Sequence, residues 1–188
     1  MDDLDWVLGR GVVAVTQLKK RRRHDSERYF VDLFAGCGGL SLGLEQAGFS
    51  PVFVSELNQD ALDTYLVNRE NRYPHLLEED LHCNDVNNLL EDDYVERLHK
   101  TFESTFGLRK GQLDLVVGGP PCQGYSMIGH RRSHSVDKEH LPYNRLYESM
   151  AGVIERFQPK MFLFENVAGL LSARWSEGGE KGAIWKDV

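Results

Sequence analysis

Four short runs of almost unbroken apolar residues constrain this chain more than any other feature. They are YFVDLFA (29–35), PVFVSEL (51–57), LDLVVGG (113–119) and MFLFENV (161–167). A strand with one wet face alternates apolar and polar side chains, whereas a continuous run belongs to a strand covered on both faces. Between the runs lie segments with helical periodicity: Leu40 to Ala47, DALDTYLVNR (60–69), Val86 to Phe106 and Tyr143 to Phe157. LLEED (76–80) is a weaker fifth run, third in chain order, and AIWKDV (183–188) opens one more amphipathic helix. Strand and helix in strict alternation imply an α/β fold, a Rossmann-like parallel sheet with helices on both faces. In such a sheet ligands gather at the carboxyl ends of the strands.

Those strand ends carry the unusual residues. The first run leads into GCGG, where Gly36, Gly38 and Gly39 permit a tight turn and close backbone approach to a ligand. Glu56 closes the second run about twenty residues later, the place where an acid accepts hydrogen bonds from ribose hydroxyls. Ser41 stands where a dinucleotide fingerprint would have its third glycine, which counts against a nicotinamide cofactor. A further acid after the third run is expected to meet an adenine amino group. Asp80 and Asp85 compete for that role, and Asp80 is preferred because it follows Leu76 and Leu77 directly. The fourth run stops at Gly118-Gly119-Pro120-Pro121-Cys122, so a stiff turn presents a thiol just beyond a buried strand. Glu165 ends the fifth run, where burial would favour its protonated form.

Charge and cysteine usage narrow the class. The net charge is −7, and the stretch from Glu70 to Glu103 accounts for it, with ten acids against Arg72, Arg97 and Lys100. The loop after the thiol is mildly basic, with Arg131, Arg132, Lys138 and Arg145 against Asp137 and Glu139, and so permits phosphate contacts. Three widely spaced cysteines, Cys37, Cys83 and Cys122, form no CxxC pair, which disfavours a disulfide framework or a structural metal site. The apolar runs are too short to span a bilayer, and the amino terminus MDDLDW is acidic, so a cytoplasmic protein is expected. Residues 1–28, with the basic run KKRRRH, are expected to form a solvated extension ahead of the domain.

The ordered set VDLFAGCGGLSLGLEQAGF, SELNQDAL, GGPPCQGYS and FENVAGLL resembles the cytosine-5 DNA methyltransferase family from about Tyr29 to Leu171. The resemblance implies S-adenosylmethionine as cofactor and double-stranded DNA as partner. It implies that Phe34, Gly36, Cys37 and Gly39 meet the methionine end, Glu56 the ribose, Leu57 the adenine ring and Asp80 its amino group. Gly119, Pro121 and Leu146 would complete the wall. Cys122 would be the nucleophile that adds to carbon 6 of cytosine, which splits one hard step into two. Glu165 would donate a proton at ring nitrogen 3, with Asn166 either holding Glu165 or orienting the loop. The base must leave the helix to reach the thiol. Gln123 to Tyr143 is then expected to be a lid over the flipped nucleotide, with Gln123, Ser126, Arg131 and Arg132 on the substrate.

Three family features do not occur before Val188: the later arginine-bearing motif, the variable region that reads DNA sequence, and the final motif. The expectation is therefore a partial catalytic domain over 29–188, inactive or marginally stable alone, that needs a second polypeptide or a carboxyl-terminal half. Its fifth strand is expected at an open sheet edge. A restriction–modification setting fits this reading. A binding subunit without turnover and an RNA cytosine-5 methyltransferase remain open beside it.

Overall fold

A computed structural model describes residues 12–15 (backbone only), 27–121, 145–174 and 178–187. Strands β1 (Val12–Val15), β2 (Arg28–Leu33), β3 (Phe49–Ser55), β4 (His82–Cys83), β5 (Leu115–Gly118) and β6 (Met161–Glu165) form one sheet, ordered β1-β6-β5-β2-β3-β4. The five strands from β2 onward run parallel, and the antiparallel β1 pairs Val12 with Glu165 and Val15 with Leu163. The chain first winds from β2 outward to β4, then returns to the other side of β2 as β5 and β6. Strand order thus reverses beside β2, and the crevice between the carboxyl ends of β2 and β5 is where such folds place ligands.

Helices α1 (Gly39–Gln46), α2 (Gln59–Val67), α3 (Asp92–Phe106), α4 (Leu146–Phe157) and α5 (Ala183–Asp187) supply the crossovers and the end of the described chain. Side-chain alternation along the strands sorts the core into two layers. Val31, Leu33, Val116 and Phe164 face a layer built from Val95, Leu98 and Phe102 of α3 with Met150, Val153 and Phe157 of α4. On the opposite face, Phe30, Leu115 and Val117 pack with Leu40 and Leu44 of α1, and Val54 with Leu62, Tyr65 and Leu66 of α2. Among the described residues no helix is long and apolar enough to cross a membrane.

Four expectations are corrected here. LLEED is not a strand: Pro74–Leu77 and Glu79–Leu81 are 3₁₀ turns, and the strand that pairs with β3 is His82–Cys83. Pro74 nucleates the first turn, because its fixed φ suits the first helical position. The amino-terminal segment is not wholly an extension, since Val12–Val15 joins the sheet and covers the edge of β6 that was expected to be open. Helix α1 buries only part of the apolar face read for it, Leu40 and Leu44. Leu42 is 52% exposed, while Ser41 and Glu45 are buried. Val86–Leu90 is a 3₁₀ turn, so α3 begins only at Asp92.

Candidate active site

The carboxyl edge of the sheet is built by the ends of five adjacent parallel strands, β2 to β6. After β2 the chain turns sharply at Phe34, whose φ of 57° is left-handed, and again at Gly36 with φ 54°. A phenylalanine held there is a strained residue, the kind that clusters at functional sites. The turn is tied by Ala35 N–H donating to Ser55 O (3.2 Å) and Gly38 N–H to Ala35 O (2.9 Å). Outward it is clear, since a Cβ on Gly36 or Gly39 would meet nothing within 4 Å. Cys37 is exposed on the same turn.

Glu56 bridges that turn to the next. Its Oε2 accepts from Gly36 N–H and its Oε1 from Asn58 N–H, both at 2.8 Å. Asn58 in turn caps α2, accepting from Ala61 N–H at 3.0 Å. A carboxylate has about four lone-pair sites, so these two bonds leave room for two hydroxyl donors. Leu57 follows, 64% exposed, an apolar plate beside the acid. An acid with spare acceptor capacity, an exposed apolar side chain and an open glycine turn fit the ribose, base and polar tail of an adenosyl cofactor.

The two candidate acids lie at opposite ends of β4. Asp80 lies in the turn that precedes β4, at the amino end of the strand. Asp85 lies two residues beyond Cys83, at the carboxyl end, next to Asn84, whose Nδ2 donates to Glu56 O at 3.2 Å. The preference for Asp80 rested on a strand at 76–77 that does not exist. Asp85 Oδ1 accepts from Asn87 N–H and Asn87 Nδ2, each at 2.9 Å. Its carboxylate is thereby fixed in direction with acceptor capacity left over.

On the far side of β2, β5 and β6 bring Gly119 and Glu165 together. The register pairs Gly118 with Phe164, so Gly119 faces Glu165 across the sheet. A Cβ on Gly119 would lie 2.8 Å from Glu165 Oε2; the carboxylate occupies the space a side chain would take. Glu165 is exposed, so the burial expected of it is not found, and Met161 to Leu163 are only half-buried. Asn166 is 6% exposed and accepts from Val167 N–H at 2.8 Å, so its side chain orients the loop beyond β6. Pro121 is half-buried at the end of β5, and Leu146 starts α4 against the main core. Cys122, Gln123, Ser126, Arg131 and Arg132 lie outside the described residues.

A buried polar cluster beneath the glycine turn was missed. Asp32 on β2 is fully enclosed and accepts from Ser41 Oγ at 2.5 Å. Burial pushes its carboxyl up to about 7, against the opposing pull of the Ser41 hydroxyl and the Arg69 guanidinium. Tyr65 OH lies 2.7 Å from the same Ser41 Oγ, and burial raises its phenol as well. The available signal was Asp32 itself, a charge inside an otherwise apolar strand.

With this geometry in place, the chain can be compared with known proteins. The family model described as C-5 cytosine-specific DNA methylase matches residues 29–180. This chain belongs to the C-5 cytosine-specific DNA methylase family. Among curated methylases, the type II methyltransferase M.AgeI of Thalassovita gelatinovora is 39% identical over 76% of this chain and 28% of its own length. M1.HphI of Haemophilus parahaemolyticus, also a type II methyltransferase, is 35% identical over 76% of this chain and 33% of its own. A crystal structure of a DNA modification methyltransferase encoded within an E. coli prophage superposes with TM-score 0.57 and 29% identity, covering 86% of this chain and 36% of that one. The chain thus spans about three-tenths of the length of these two curated methylases. The matched span contains all the site residues named above, while β1 lies outside it.

Proposed function

We propose that this chain carries the cofactor-binding and catalytic part of a DNA cytosine-5 methyltransferase of the restriction–modification kind, working in the cytoplasm with a carboxyl-terminal half that completes it. The observation that carries this reading is the β5–β6 register, which sets Glu165 against Gly119, three residues before Cys122. A thiol and a carboxyl group on adjacent strand ends are what an unreactive pyrimidine carbon needs.

S-adenosylmethionine, when bound, would supply an electrophilic methyl group. Glu56 would accept the ribose hydroxyls, Leu57 would pack on the adenine, and Asp85, in place of Asp80, would accept from its amino group. Phe34, Gly36, Cys37 and Gly39 would line the methionine end, with Pro121 and Leu146 closing the far wall. The Cys122 thiolate would add to carbon 6 of a flipped cytosine, making carbon 5 nucleophilic. Glu165 would share a proton with ring nitrogen 3 as charge builds there. Gln123, Ser126, Arg131 and Arg132 would hold the flipped nucleotide and its phosphates, while Asn166 keeps the loop after Glu165 in place.

The test is covalent trapping on duplex DNA that carries 5-fluorocytosine, with cofactor and a supplied carboxyl-terminal half. The parent chain is expected to form an adduct that survives denaturation, and Cys122→Ser to form none. An adduct that persists in Cys122→Ser, or one formed on RNA but not on DNA, refutes the reading.

A further inference from the structure

The polar cluster under the glycine turn centres on Arg69, a charged residue only 5% exposed. Its Nε donates to Glu45 Oε1 at 2.7 Å, one terminal nitrogen donates to Gly38 O at 3.0 Å, and the other to Tyr65 O at 3.3 Å. The guanidinium also lies 3.9 Å from the centre of the Tyr65 ring. Gly38 has φ 87°, and a Cβ there would come within 2.5 Å of Arg69 and 2.6 Å of Tyr65. The turn is thus pressed directly onto this side chain.

A buried ion pair is a poor source of stability, because desolvation offsets most of the attraction. Its geometry suggests what else it does. The Gly38 carbonyl accepts twice, from Arg69 and from Leu42 N–H, the first bond of α1. A trans peptide unit points its C=O and N–H in opposite directions. With the Gly38 oxygen held inward, the Gly39 N–H is aimed outward, on the side where a Gly39 Cβ would meet only open space.

We propose that Arg69 is a positioning residue for cofactor binding: it anchors the Gly38 carbonyl so that the Gly39 N–H faces the amino-acid end of the cofactor. This rests on the cofactor reading above. Glu45 holds the guanidinium in line, and Ser41 links Tyr65 to the neighbouring Asp32.

The test uses Arg69→Met combined with Glu45→Leu, which replaces the ion pair with apolar groups of similar volume and leaves no unpaired charge behind. Arg69→Lys is the second variant; it keeps the charge near Glu45, but an ammonium cannot span Glu45, Gly38 and Tyr65 in one plane. Calorimetry then compares S-adenosylhomocysteine with 5′-methylthioadenosine, which lacks the amino-acid end. Loss of one aimed donor is expected to weaken the first by about tenfold and the second by less than about twofold. Equal weakening of both, or of neither, overturns the inference. In the ligand-free chain, amide exchange in the peptide containing Gly36 to Gly39 is expected to accelerate in both variants. Unchanged exchange overturns the inference whether or not the parent binds cofactor, whereas a parent that binds neither ligand overturns the cofactor reading.

Discussion

Replacing Asp32 by Asn should change how the stability of this protein depends on pH. The carboxyl is fully enclosed between β2, Ser41 of α1 and Tyr65 of α2, with Arg69, Glu45 and Glu56 as the charged groups around it. In the folded chain it titrates at about 7, and its ordinary value is 3.8. Between these values the folded state holds a proton that the unfolded chain has lost. Stability is therefore greatest below the unfolded value, declines as pH rises toward 7 and is level beyond it. From pH 5 to pH 8 the decline is roughly two pH units at 1.36 kcal/mol each, about 2.5 kcal/mol. For a domain of this size that corresponds to a thermal midpoint shift of about 5–10 °C. Asn has the same shape, can still bond Ser41 and does not titrate. Melting followed by circular dichroism from pH 5 to 8 at fixed ionic strength, parent against Asp32→Asn, cancels the histidines and other groups common to both. The parent midpoint should fall relative to the variant by that amount. Parallel curves, or a parent midpoint that rises relative to the variant as pH rises, would show that the buried carboxyl does not titrate as described.

Two other perturbations follow from the sheet edges. Gly119→Ala would place a methyl group 2.8 Å from Glu165 Oε2 and push the carboxylate aside. In the complemented enzyme kcat should fall by about a hundredfold while S-adenosylhomocysteine affinity changes less than about twofold; steady-state kinetics and calorimetry check this, and unchanged kcat refutes it. Removing residues 1–16 uncovers the β6 edge and its antiparallel ladder, which should cost about 2–4 kcal/mol and promote association. Melting and light scattering read both effects, and an unchanged midpoint would mean that β1 contributes nothing.

What could be read in the sequence was whatever depends on local pattern. Continuous apolar runs located β2, β3, β5 and β6 to within about two residues, and the glycine turn, Glu56 and Glu165 were found at the ends of those strands. Failures came where distant contacts override pattern. LLEED has strand-like leucines, yet Pro74 and the pairing demands of β3 displace the strand to His82–Cys83, so that Asp85 rather than Asp80 follows a strand end. Leu40 and Leu44 of α1 pack on the sheet as read, but Arg69, 24 residues beyond Glu45, needs a buried partner and turns Glu45 inward while Leu42 stays exposed. Val12–Val15 is locally no more than a short apolar run, and its pairing with β6, far along the chain, makes it a strand.

That last pairing sets the order in which the molecule can be finished. Val12 leaves the ribosome well ahead of its partner Glu165, which lies in the last of the six strands. At about 5–20 residues per second the amino-terminal segment waits on the order of ten seconds with nothing to join. The five parallel strands must assemble around the switch point before it docks. The strand made before the other five is thus the closing piece, a seal applied to a sheet that is otherwise already built.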